Sequence, residues 1–143
     1  MIRRFGETPQ AGKIYKRRAG VYAVLQRGGD LLLTFQSGIF NELQLPGGGI
    51  DPGEHPIAAL HREVREETGW SITSPRRLGA FRRYTYMPEY DLWAEKVCSI
   101  YLAQPVQRLS DPLEVDHTDI WTSPEFAAQN LYNDGDKFFI KKV

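Results

Sequence analysis

A sheet lying between helices, the α/β class, is the fold this sequence predicts, and three observations predict it. Two β-rich runs flank a glycine turn in "VYAVLQRGGDLLLTF", an amphipathic helix begins at Pro56, and later β-rich runs lead to a capped helix near the C-terminus. Strands and helices mixed in this order suggest an α/β sandwich. With 143 residues, 41% of them hydrophobic, the chain is the size of one ordinary domain, so residues 1–143 are read as a single unit. No repeat, low-complexity tract or long Pro/Ser linker divides it.

The elements follow in order. Arg27-Gly28-Gly29-Asp30 puts glycines where a tight hairpin turn needs them, between two strands. "LQLP", from Leu43 to Pro46, reads as a short strand closed by proline, which offers a sheet no donor. Gly47, Gly48 and Gly49 then read as a glycine-rich loop. From Pro56 to Thr68 the apolar residues Ile57, Leu60 and Val64 recur at helical spacing, with Glu54 and Pro56 marking the start and Gly69 the C-cap. "RRLGAFRRYTY" and "KVCSIYLA" read as strands joined by "MPEYDLWAE". "WTSPEFAAQNL" reads as a helix with Ser123 as N-cap and Pro124 at the first helical position.

Composition excludes several function classes. Eighteen basic residues balance eighteen acidic ones, which argues against a nucleic-acid coat or an anionic membrane surface. The single cysteine, Cys98, allows no intrachain disulfide and reads as a core thiol. No Cys/His cluster has zinc spacing, no serine sits in a nucleophile elbow, and Asp51-Pro52-Gly53 lacks the alternating carboxylates of a calcium loop. His55, His61 and His117 read as solvated or capping residues. The N-terminus has basic residues but no apolar run behind them, so a cytoplasmic location is expected.

The informative feature is the placement of acid on the first helix. At ~100° per residue, Glu63, Glu66 and Glu67 share an arc of about 100° beside the apolar stripe of Ile57, Leu60 and Val64. Like charges three and four residues apart cost an isolated helix about 0.2 to 0.5 kcal/mol each, so helix stability does not explain them. A hard divalent cation such as Mg²⁺, which prefers carboxylate and carbonyl oxygens, would compensate. The glycines ahead of the helix let the backbone approach a bound group closely.

The stretch resembles the signature of the Nudix hydrolases, with Gly48, Glu54, Arg62, Glu63, Val64, Glu66, Glu67, Gly69 and Trp70 at its places. Seven fixed matches and an apolar one have a chance on the order of 10⁻⁶ in a chain of this length. Trp70 departs from the usual aliphatic residue, which bears on packing more than on chemistry. The flanking hairpin and the "LPGG" lead-in extend the likeness over most of the chain.

The resemblance implies an α/β/α sandwich with a mixed sheet, and hydrolysis of a nucleoside diphosphate linked to another group. It implies Mg²⁺ or Mn²⁺ held by Glu63, Glu66, Glu67 and the carbonyl of Gly47. Arg62 would orient a glutamate such as Glu54, and Glu63 is a candidate base beside Glu89, Glu95, Glu114 and Asp116. Among relatives a tyrosine or a proline some sixteen to eighteen residues past the motif separates subclasses; here Tyr86 and Pro88 compete. Tyr86 is a candidate nucleobase stack. Arg82 and Arg83 fall on opposite faces of their strand, so at most one readily meets a phosphate, and Arg82 is the candidate.

Lys16, Arg17 and Arg18 leave an RNA 5′ end open as an alternative substrate, and a nucleotide sensor without catalysis is a second alternative. The expected partner is a small nucleotide, with neither membrane nor DNA; a homodimer accords with what the family often forms.

Overall fold

The computed structural model describes residues 2–143. Its elements are β1 (Arg3–Arg4), β2 (Lys16–Arg27), β3 (Asp30–Gln36), β4 (Glu42–Gln44), β5 (Gly47–Gly49), α1 (Pro56–Thr68), β6 (Trp70–Met87), β7 (Leu92–Arg108), β8 (His117–Thr122), α2 (Pro124–Asn130) and α3 (Asp134–Ile140). The strands run β1-β6-β7-β2-β3-β4, with β5 also paired to β2 and β8 to β3. The sheet is mixed, because β2 lies parallel to β7 and β1 parallel to β6 while the other ladders are antiparallel. No helix among the described residues is long and apolar enough to cross a membrane.

Period-two alternation gives the sheet two apolar faces. Val21, Ala23 and Leu25 of β2 and Leu32 of β3 pack with Ala59, Leu60 and Val64 of α1. Val24, Leu31, Leu33 and Ile100 point the other way, onto Ala127, Leu131, Phe139 and Ile140 of α2 and its surroundings and of α3. Both surfaces are therefore buried and a helix layer covers each one. Cys98 is buried in the second cluster, where desolvation pushes its thiol up to about 11 and suppresses the thiolate.

The local signals act as their chemistry demands. Arg27 pairs with Asp30 across the glycine turn. Helix α1 is capped by His55, whose Nδ1 accepts from the Ile57 N–H at 3.1 Å, and ends on Gly69 in the left-handed region. Ser123 caps α2 by accepting from the Phe126 N–H.

Three differences from the sequence reading matter. Residues Gly47–Gly49 are not a loop but an edge strand against β2, with Val21 opposite Gly48. A Cβ on Gly47, whose φ is 154°, would strike the Val21 carbonyl and come within 2.6 Å of Tyr22 Cα, so only glycine permits the pairing. The connection between β6 and β7 is shorter than "MPEYDLWAE", because Tyr86 pairs with Trp93 and their rings meet at 5.2 Å, which carries the hairpin outward. Strand β8 and helix α3 were not anticipated; Asn133 caps α3 by accepting from the Asp136 N–H at 2.8 Å.

Candidate active site

Helix α1 carries its acidic stripe beside strand β5. The two meet closely, since a Cβ on Gly48 would lie 2.6 Å from the carboxyl carbon of Glu63. Gly47 donates its N–H to Glu67 Oε1 at 3.0 Å. Both glutamates line one wall of a cavity of about 300 Å³, floored by β2, β6 and β7 and bordered by the start of α3.

Arg62 organises the acids. It grips Glu54 bidentately, Nε to Oε2 and Nη2 to Oε1 at 2.7 Å each. Nη1 reaches Glu63 at 2.9 Å and Glu66 at 3.3 Å, and Nη2 donates to the Gly49 carbonyl at 3.1 Å. Glu54 is held down to about 2 by the Arg62 hydrogen bonds, assisted by the Asp51 backbone N–H. Burial raises the Glu63 carboxyl above its ordinary range, and the Arg62 hydrogen bond opposes this only in part.

Glu67 is the most enclosed of the three and is raised well above its ordinary value, first by burial and then by the charges of Glu63, Glu114 and Glu66. Its Oε2 lies 3.5 Å from His117 Nε2, while His117 Nδ1 meets Thr34 Oγ1 at 2.8 Å. Thr34 Oγ1 also lies 3.2 Å from the Glu67 carbonyl, so its hydroxyl links His117 to the end of α1. Burial lowers His117, so both shifts favour an uncharged pair.

The residues singled out from sequence are distributed as follows. Glu54, Arg62, Glu63 and Glu66 form one hydrogen-bonded group, and Glu67 stands apart on Gly47 and His117. Among the described residues no three His, Cys, Asp or Glu side chains stand in a metal-holding arrangement. Of the candidate bases, Glu89 lines the cavity, and Glu114 stands close enough to raise Glu63 and Glu67. Glu95 faces the other side of the sheet, paired with Arg17 and Arg82, and Asp116 accepts from Gln36.

Arg82 does not reach the cavity; Arg83 lines it instead, because residues alternate across the sheet and β6 settles its parity only after three bulges. Tyr86 lies on an adjoining cavity of about 570 Å³ and donates its hydroxyl to Asp91. Sequence reasoning passed over Thr34, Lys96 and Asp136 altogether and gave His117 no part in the site.

Asp136 lies buried on the cavity floor, where it accepts from the Leu45 N–H at 3.3 Å, and desolvation pushes it up to about 6. An acid that holds its proton more tightly when folded costs stability as pH rises from the unfolded value through the folded one, and the cost is complete above that window. Asp136→Asn, which keeps an acceptor for Leu45, is expected to raise the unfolding free energy at about pH 8 by up to about 3 kcal/mol and to change it little at about pH 3. Urea titrations at the two pH values check this; equal stability at both would show that the carboxyl is not strained.

Comparison with known proteins gives concordant matches. A family model described as "NUDIX domain" matches residues 14–142. A protein of Bacillus subtilis (strain 168) named putative 8-oxo-dGTP diphosphatase is 39% identical over 49 residues, 34% of this chain and 33% of the relative. An RNA pyrophosphohydrolase of Halorhodospira halophila is 46% identical over 41 residues, 29% of this chain and 23% of the relative. The chain thus spans a third or less of the length of these two curated relatives. Among solved structures, a MutT NUDIX hydrolase from Burkholderia pseudomallei superposes with a TM-score of 0.71 at 22% identity, covering 90% of this chain and 98% of that one. A NUDIX hydrolase from Nitrosomonas europaea gives 0.66 at 25% identity, covering 80% and 78%.

Proposed function

The chain belongs to the NUDIX family, and from that premise we propose that it is a divalent-metal-dependent pyrophosphohydrolase, one catalytic unit across residues 1–143, acting on a nucleoside diphosphate linked to another group. The observation that supports this best is that Glu63 and Glu67 line one cavity beside the glycine strand β5, both raised above the ordinary carboxylate range, with Glu66 tied to Glu63 through Arg62. Arg62 gives one positive charge to a group that holds Glu54, Glu63 and Glu66, so negative charge remains in excess, and carboxylate oxygens suit Mg²⁺ or Mn²⁺. Glu63, Glu66, Glu67 and the Gly47 carbonyl are the proposed ligands. The chemistry such an ion supplies is neutralisation of phosphate oxygens and acidification of a bound water.

The chain's own residues do the rest. Arg62 fixes Glu54, Glu63 and Glu66 relative to one another. The Gly47 N–H holds one oxygen of Glu67, and His117 Nε2 stands 3.5 Å from the other. Glu63, Glu89 and Glu114 remain the candidates to take a proton from the attacking water, since each borders the cavity or its acids. An RNA 5′ end is the second reading, favoured by Arg18 at the cavity rim over the Tyr90 ring, 4.6 Å from its centroid.

A phosphate-release screen over nucleoside triphosphates, dinucleoside polyphosphates, nucleotide sugars, ADP-ribose and triphosphorylated RNA tests the proposal. Turnover of at least one class with Mg²⁺ or Mn²⁺, and none with a chelator, is expected. No turnover of any class would favour a sensor that binds nucleotide without cleaving it.

A further inference from the structure

Arg83 on β6 and Lys96 on β7 stand directly opposite each other in the antiparallel ladder, and both line the cavity that holds Glu63 and Glu67. Like charges so placed repel, and a sheet gains nothing from them unaided. On the other face of the same two strands the problem is solved: Glu95 takes Arg17 at 3.2 Å and Arg82 at 3.5 Å. On the cavity face, neither Arg83 nor Lys96 has an ion-pair partner among the described residues.

Asp136 and Glu89 lend these cations some negative charge, but neither acid forms an ion pair with Arg83 or Lys96 among the described residues. Asp136 is pushed up to about 6 and gives one oxygen to Leu45, and Glu89 sits on the turn between the strands at the cavity edge. Lys96 is lowered from its ordinary value by burial and then by Arg83, which the opposing charges of Cys98, Glu89 and Asp136 offset only in part. A guanidinium beside an ammonium is a natural seat for a phosphate.

We propose that Arg83 and Lys96 form a second anion seat, which takes a phosphate carried by the substrate in addition to the diphosphate that is cleaved. The inference rests on the hydrolase reading for the position of the cleaved group, but the seat itself does not need it. Strand β7 lies two places from β5, through β2, a lateral step of roughly 10 Å, and Lys96 is level with Arg18, three residues along β2 from the Val21 that faces Gly48, so the two backbones stand roughly 14 Å apart. That separation suits a phosphate set off by a sugar, as in a nucleotide phosphorylated on its ribose, better than the next phosphate of one continuous chain.

Inorganic phosphate, titrated in the presence of EDTA and followed by calorimetry and by thermal shift, tests the seat without metal or turnover. Binding to the wild type is expected, with affinity at least tenfold weaker in Arg83→Gln and in Lys96→Met, and retained in Lys96→Arg. Equal phosphate affinity in the wild type and both charge-removing variants overturns the seat, whatever the enzyme hydrolyses. Circular dichroism separates loss of binding from loss of fold.

A substrate arm then compares ADP-linked diphosphates with and without a ribose phosphate, together with a nucleoside triphosphate. A wild-type preference for an extra phosphate of tenfold or more in kcat/KM, collapsing in both charge-removing variants, supports the seat. Whether it collapses for the ribose phosphate or for the triphosphate identifies the source. No preference in the wild type overturns the role in substrate choice. Phosphate binding that depends on both cations, with no diphosphate turned over, would keep the seat and discard the hydrolase reading.

Discussion

Glu67→Gln is expected to lower turnover about 10²- to 10³-fold while raising the melting temperature of the metal-free protein. The two effects come from the same charge. Glutamine keeps an oxygen to accept from the Gly47 N–H and fills nearly the same volume, so packing is preserved. What it removes is a carboxylate that burial and three neighbouring acids raise well above the ordinary value.

In the folded state such a group favours its proton, so the fold loses stability as pH rises from the unfolded glutamate value through the raised one. At neutral pH that loss is present in the wild type and absent in the variant. Steady-state rates with Mg²⁺, paired with thermal melts in EDTA, measure both. A normal rate would exclude Glu67 from catalysis, and a lower melting temperature would mean that the buried charge is better compensated than its surroundings indicate.

Arg62→Met should do the reverse to stability. The guanidinium contacts Glu54, Glu63 and Glu66 and also ties down the Gly49 carbonyl, so its loss leaves three acids facing one another. Breaking a fully buried pair costs about 3–5 kcal/mol; with 29% of its side chain exposed, Arg62 is screened and a smaller loss applies. A melting temperature lower by roughly 4–8 °C in EDTA follows. Activity falls as well, because nothing then fixes Glu63 against Glu54.

Magnesium should restore more of the melting temperature to the variant than it adds to the wild type, since a bound cation and Arg62 compete for the same Glu63 and Glu66 oxygens. Equal stabilisation of the two proteins by magnesium would show that the ion sits elsewhere. Arg62→Lys should rescue little, because an ammonium cannot reproduce the bidentate grip on Glu54.

How much of this could be read before the fold was known depends on the kind of signal each element carries. Helix α1 was legible from Pro56 to Thr68 because its apolar spacing, its first-turn proline and the glycine after it all mark the same boundaries. The β2–β3 hairpin and the start of α2 were legible for the same reason, each having a turn or cap residue beside its periodic run. Strand β5 was not, because three glycines carry no strand preference; what makes them a strand is the collision any side chain would have with β2.

The side chain of β6 that meets the cavity was also hidden. Bulges between Ser71 and Ile72, Thr73 and Arg76, and Arg77 and Gly79 reset the alternation, so counting along the sequence cannot say whether Arg82 or Arg83 points inward. His117 opens a six-residue strand, and its bonds to Thr34 and Glu67 join segments far apart in the chain. The acidic group and its glycines lie within one continuous motif and could be picked out, whereas the cavity floor is assembled from β2, β6, β7 and α3 and could not.

The parallel pairing of β2 with β7 has a consequence for how the chain assembles. Lys16 lies beside Ala94 and Leu25 beside Ala103, so the central ladder cannot close until most of the chain has left the ribosome. Closing so long a loop is entropically slow, and folding in the millisecond-to-second range is expected. During synthesis the β2–β3 hairpin waits with two open edges, that of β2 for β7 and that of β3 for β8, the stage at which a nascent chain is most exposed to intermolecular strand pairing and has most to gain from a chaperone.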